Sequence, residues 1–225
     1  MLLLCLDSSA VASAALVTGA GEVVGSFVSP DTRSHAEVLA PAVRDLLEGR
    51  GLTGAGLDGV LVGTGPGPFT GLRAGIATAR ALAFAWDVPL QGLMSLEALA
   101  QDAAEDARAA GHEEFLVLTD ARRREVYWAR YALAPDGPRR VGGPGVAAAE
   151  QLPELPAYGR GAGLYADRLA RPVPGFAEAQ PTASSLGLAA LRLRARGEGP
   201  GADTTPLYLR ESDAKVPGPR KKALA

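Results

Sequence analysis

The stretch "GTGPGPFTGLRAG", Gly63 to Gly75, follows the apolar run "GVLV" and holds five glycines and two prolines. A glycine-rich loop between a strand and a helix can cradle a phosphate, because consecutive backbone N–H groups converge on the anion and the helix dipole favours it. Pro66 and Pro68 remove two of those donors, and Leu72 and Arg73 stand after Gly71 where a Walker loop needs Lys and Ser or Thr. The other reading is a rigid strand-to-helix turn, in which prolines fix φ and glycines supply positive φ. Other reactive groups are few. Cys5, the single cysteine, sits inside the apolar run "MLLLCLD", so it reads as buried and inert and forms neither an intrachain disulfide nor a thiolate zinc site. The two histidines, His35 and His112, have no neighbours that point to a triad.

Composition narrows the class. The 225 residues fit one large domain or two small ones. A formal charge of −2 gives no general attraction to nucleic acid or to anionic membranes. No apolar run approaches the roughly 20 residues of a membrane span, so neither a membrane anchor nor a signal peptide is expected, and the lone cysteine points to a reducing, cytoplasmic setting. Only Lys215, Lys221 and Lys222 are lysines, which makes arginine a compositional habit here and lowers the meaning of any single one.

The elements that must position these groups follow from periodicity. Leu2 to Asp7 reads as a buried strand, followed by two β-like runs, "SAVASAALVT" and "EVVGSFV", across a "GAG" hairpin turn. Ser34 with Glu37 makes a capping box, and Val38, Leu39, Ala42, Val43, Leu46 and Leu47 mark one face of a helix over 34–48, bent at Pro41. "LDGVLVGTG" is the next strand, then a helix over 71–86, a short strand "VPLQGL" and an alanine-rich helix over 95–110. In the helix over 71–86, Gly71, Gly75, Ala79 and Ala83 recur every four residues, a stripe without bulk flanked by Leu72, Ile76 and Leu82. Such a stripe suits internal packing or a subunit interface equally in geometry. "EFLVLTDARRREVYWARYAL" reads as two strands across a turn, 135–181 is weakly periodic, "TASSLGLAALRLRARG" is a capped helix, and "KVPGPRKKALA" a mobile tail.

The segments "CLDSSAVASAAL", "SHAEVLAPAVRDLL", "GTGPGPFTGLRAG", "SLEALA", "DARRREVYWARY" and "PLYLRESDAK" resemble, in order and spacing, the TsaB (YeaZ) family. Arg124 stands where that family usually has Gly, and Pro68 where it usually has Ser. The resemblance implies an α/β chain of the actin-like ATPase, ribonuclease-H-like fold, with two subdomains, each a mixed sheet flanked by helices. The expected division is 1–105 for a partner-binding N-terminal subdomain and 106–225 for a smaller C-terminal one, its sheet reduced from five strands.

The resemblance also implies a role. Family members are non-catalytic activating subunits in making N6-threonylcarbamoyladenosine at position 37 of tRNAs reading ANN codons. They pair with a catalytic TsaD-type subunit, work with a TsaE-type ATPase, reach tRNA through the complex, and homodimerise when alone. No intrinsic cofactor is expected, ATP and a metal ion belonging to the partners. A TsaD-like metal site needs two histidines four apart on a helix, and Leu39 stands four residues after His35. The expected interface is Ser34, His35, Val38, Leu39, Ala42, Leu46, Gly71, Leu72, Gly75 and Ala79. The alternative is a weak nucleotide-binding ATPase, with Asp7, Ser8, Ser9, Gly65, Gly67 and Thr70 as a vestigial site. Asp7 is otherwise a turn-capping carboxylate. A third reading, direct RNA contact, would use Arg122, Arg123 and Arg124 with Tyr127, Trp128 and Tyr131, a segment that also reads as a half-buried edge.

Overall fold

The computed structural model describes residues 1–30 and 35–210, without the side chains of His35 and Ala36. Ser34 and the proposed capping box, like the end of "PLYLRESDAK" and the lysine-bearing tail, lie outside the described residues. The first sheet has five strands: β1 (Leu2–Asp7), β2 (Ser13–Thr18), β3 (Val23–Val28), β4 (Gly59–Gly63) and β5 (Leu90–Leu93), in the order β3-β2-β1-β4-β5. β1 is central, antiparallel to β2 and parallel to β4.

Alternation along β1 dictates the layers. Leu4 and Leu6 point to one face, where they pack with Leu39, Val43, Ile76 and Ala79 from α1 (His35–Glu48) and α2 (Phe69–Trp86). Leu3 and Cys5 point to the other, where Ala15, Val17 and Leu61 meet Ala98 of α3 (Leu96–Ala109) and Leu186 and Ala190 of α5 (Ala183–Ala195). A strand covered on both faces must be apolar throughout, as "LLLCL" is. α2 starts at Phe69, ahead of the expected Gly71, because the Pro68 carbonyl already accepts from Leu72 N at 3.0 Å.

The second sheet has four strands: β6 (Glu114–Asp120), β7 (Glu125–Ala134), β8 (Gly137–Ala148) and β9 (Ala157–Tyr158), in the order β8-β7-β6-β9. On its inner face Phe115, Val117, Tyr131 and Tyr158 pack with Leu99, Ala103 and Ala107 of α3. On its outer face Leu116, Leu118 and Val126 meet Ala162 of α4 (Arg160–Leu164). The architecture is thus α/β, two mixed sheets flanked by helices, as expected for the actin-like fold. The expected boundary after residue 105 falls inside α3, a wedge that touches both sheets, and α5 returns from the second half of the chain to cover the first sheet.

β8 is the element that sequence reading left open. Its twelve residues "GPRRVGGPGVAA" carry four glycines and two prolines. Among the described residues it pairs only with β7, and the register slips around Arg130. An edge strand tolerates proline because one row of its N–H groups needs no partner.

Candidate functional site

The glycine loop closes on the chain itself. The Asp7 carboxylate, fully buried at the end of β1, accepts from Ser9 N at 2.8 Å and Ser9 Oγ at 2.7 Å through Oδ1, and from Ser95 Oγ at 2.5 Å through Oδ2. Ser95 Oγ in turn accepts from Gly65 N at 3.0 Å, and Ser8 Oγ donates to the Gly71 carbonyl at 2.8 Å. A Cβ added at Gly67 would overlap the Ser9 carbonyl oxygen and lie 2.8 Å from Ser9 Cα. The loop therefore packs against the β1–β2 turn with no room for a phosphate between them. Of the six residues expected at a vestigial nucleotide site, Asp7, Ser8, Gly65 and Gly67 are enclosed in this network. Only Ser9 and Thr70 reach a cleft of about 410 Å³ between the halves, which Asp120, Arg122 and Arg160 also line.

The expected interface is corrected in the same way. Leu39, Ala42 and Leu46 of α1, and Gly71, Leu72, Gly75 and Ala79 of α2, are buried in the chain's own core. Gly75 lies so close to β1's end that a Cβ there would overlap Ser8 Oγ and sit 2.9 Å from Ser8 Cβ. The small-residue stripe lets α2 settle onto the first sheet; it is not a surface. Val38 is half-buried, His35 opens α1, and Ser34 lies outside the described residues.

The outward face of α2 is different. Ala77, Ala81 and Phe84 are exposed and Ala74 partly so, at spacings of three, four and three, and Phe84 is 90% exposed. Beside it, α1 presents Ala40, Pro41, Arg44 and Asp45. The α2 positions form a low, apolar strip ending in an aromatic ring, flanked by the exposed Arg44–Asp45 ion pair of α1. Sequence reading missed it because alanine fills both sides of α2; the signal lay in Phe84, whose position is out of phase with the buried stripe.

A second missed feature holds α2 in place. Residues 200–208 run back along β5 and α2: Gly92 N donates to Gly201 O at 2.8 Å, and Leu207 N to Thr64 O at 2.8 Å. Arg80 donates to Thr204 Oγ1 at 3.0 Å and to its carbonyl at 3.1 Å. Arg73, one heptad earlier, donates to Tyr208 Oη at 2.8 Å, with its guanidinium over the rings of Phe69 and Tyr208. Arg210 then pairs with Glu125 at the start of β7.

Other candidate groups take structural places. Cys5 is buried, and burial pushes its thiol up to about 12. His112 shares a hydrogen bond with Tyr158 Oη at 3.2 Å, whose hydroxyl donates to Asp106 at 2.8 Å. Among the described residues no three His, Cys, Asp or Glu side chains converge as a metal site would require. Arg122, Arg123 and Arg124 are exposed on the β6–β7 turn in the left-handed region, with φ of 62, 54 and 64°. Tyr127 and Tyr131 are buried, and Tyr131 stacks on Phe115 in the core. The aromatic platform of an RNA contact is therefore not formed, and the expected half-buried edge is corrected too: the segment is β7, an interior strand paired on both sides by β6 and β8. No helix of the described residues is long and apolar enough to cross a membrane.

Against known proteins, residues 22–204 match the family model described as "TsaD: tRNA N6-adenosine threonylcarbamoyltransferase". A solved structure of YeaZ from Pseudomonas aeruginosa superposes with a TM-score of 0.76 at 34% identity, covering 92% of this chain and 99% of that one. The chain belongs to the TsaB (YeaZ) family. It is 44% identical to an uncharacterized protein of Mycobacterium tuberculosis over 86% of its own length and 83% of that protein's. The protein of Escherichia coli named "tRNA threonylcarbamoyladenosine biosynthesis protein TsaB" is 34% identical over 61% of this chain and 58% of that protein. TsaB-type chains thus share a family model with the TsaD enzymes. The helix and loop carrying the distinctive motif are, in this member, occupied with its own folding.

Proposed function

We propose that this chain is a non-catalytic activating subunit in the synthesis of N6-threonylcarbamoyladenosine at position 37 of tRNAs that read ANN codons. It heterodimerises with a TsaD-type catalytic subunit in the cytoplasm, works with a TsaE-type ATPase, and meets tRNA through the assembly. ATP and the metal ion reside on those partners. Alone, it homodimerises through the same surface. Family membership supports the pathway. The observation that carries the subunit role is the outward face of α1 and α2, with Phe84 90% exposed on a run of alanines. A large ring left in water on a smooth helical surface is the kind of anchor a partner covers. The nucleotide-binding alternative loses its carboxylate, since Asp7 is buried and hydrogen-bonded to Ser9 and Ser95.

The test is tRNA threonylcarbamoylation by the cognate TsaD- and TsaE-type proteins, with and without this chain, beside co-elution of the TsaD-type subunit. Phe84→Arg should keep the monomer's melting temperature, abolish co-elution and abolish multiple turnover. A Phe84→Arg chain that co-elutes and activates like the wild type would remove the assignment of this face. An assay indifferent to the wild-type chain would remove the role itself. Asp7→Ala is not a clean probe here, because it breaks the network that holds the loop.

A further inference from the structure

Beside Thr64 of the glycine loop, β5 and the start of β8 face each other across a groove of about 530 Å³, closed behind by the end of α5. Its walls are rich in guanidinium groups. Arg196 is a buried anchor, its side chain only 5% exposed; Nε donates to Asp136 at 2.8 Å and Nη1 to the Pro138 carbonyl at 3.1 Å, while Nη2 has no acceptor. Arg192, one turn earlier and outside the groove lining, holds the groove's Glu97 through Nη2 at 2.9 Å. Arg140 is exposed at the groove, and its one hydrogen bond among the described residues goes to the Met94 sulfur at 3.5 Å, a weak acceptor. Arg139 is already engaged by Asp136 at 3.0 Å and Glu198 at 3.8 Å.

More than nine in ten buried polar groups in folded proteins find partners. The unpaired Nη2 of Arg196, beside Arg140 without an oxygen acceptor among the described residues, departs from that rule at the groove. The opposing charge is limited: Glu198 sits on Arg139, and Glu97 is engaged by Arg192 and by the Tyr131 hydroxyl at 3.0 Å. Glu97 is also within electrostatic reach of Arg140, which opposes the burial that pushes its carboxyl up. A planar guanidinium fork matches the oxygens of a phosphate.

We infer that this groove is a phosphate-binding site, with Arg196 as its fixed anchor and Arg140 as the solvent-facing arm that closes on the anion. The phosphate could belong to a small phosphomonoester or to an RNA backbone; the chemistry is shared and the test separates them. The whole chain is melted in inorganic phosphate, with chloride at equal ionic strength as control. Wild type should gain about 3–6 °C at tenfold excess over its dissociation constant. Arg140→Ala should melt like wild type in chloride and lose most of the phosphate gain, and Arg140→Lys should retain an intermediate part. Adenosine monophosphate competing with phosphate while an unphosphorylated oligoribonucleotide does not identifies a phosphomonoester site, and the reverse identifies an RNA backbone site. No gain above the chloride control, or an equal gain in wild type and Arg140→Ala, overturns the inference.

Discussion

Replacing Gly75 with alanine tests the account of α2 most directly. In an exposed helix the change would stabilise by about 0.8–1.0 kcal/mol, the difference in helix propensity. Here the new methyl would overlap Ser8 Oγ and approach Ser8 Cβ at 2.9 Å. Relieving that overlap requires α2 or the end of β1 to move in a close-packed region, at about 1–3 kcal/mol. Rotating Ser8 away instead breaks its 2.8 Å bond to the Gly71 carbonyl, leaving buried polar groups unpaired at about 1–3 kcal/mol. After the propensity gain, the net is a loss of up to about 2 kcal/mol, or up to roughly 8 °C in melting temperature for a chain of this size. Urea denaturation followed by circular dichroism measures it, and Ser8→Gly in a double-mutant cycle should recover a coupling of at least about 1 kcal/mol. Gly75→Ala more stable than wild type by the full helix-propensity difference would refute the claim that this stripe is internal packing.

Three further outcomes follow from other groups. Arg124→Gly should stabilise by about 0.5–1 kcal/mol, seen as a higher melting temperature, because a non-glycine residue at φ 64° carries left-handed strain that glycine lacks. Glu97, buried against Arg192 and Tyr131, has its carboxyl held above the ordinary value of 4.5 by burial, so the folded state binds its proton more tightly than the unfolded state does. Its contribution is therefore present below pH 4.5 and declines as pH rises through that value to the raised one, a slope that urea titrations should show in wild type and not in Glu97→Gln. Cys5 should resist iodoacetamide in the native protein at mildly alkaline pH and react fully once unfolded, as mass spectrometry will show.

How far the sequence could be read depended on whether a feature was periodic. β1, α1 and α5 announced themselves through alternation or helical spacing, and Thr182 caps α5 by accepting from Ser185 N. β8 did not, because an edge strand broken by glycine and proline carries no pattern to detect. The stripe Gly71, Gly75, Ala79 was visible as a packed face, but spacing names no partner, and the partner is the chain's own Ser8. Asp7 reads as a metal or phosphate ligand only while Ser95 is out of view, 88 residues along the chain. The same holds for Arg73 and Tyr208, which are 135 residues apart and belong to no motif that joins them.

The return of residues 183–208 to the first sheet has a consequence in time. During synthesis the strands and helices up to Leu93 emerge first, yet the face of β1 bearing Leu3 and Cys5 has only Ala98 of α3 as helical cover until Leu186 and Ala190 arrive, and the hydrogen bonds of Arg73 and Arg80 to Tyr208 and Thr204 wait for the end of the chain. A nascent chain stopped short of these residues exposes an apolar sheet face and leaves α2 untethered, a state prone to association with other unfinished chains. The helix carrying the outward alanines and Phe84 is tethered along its length only when residues 200–208 are in place, so an incomplete subunit is a poor competitor for any partner of that face.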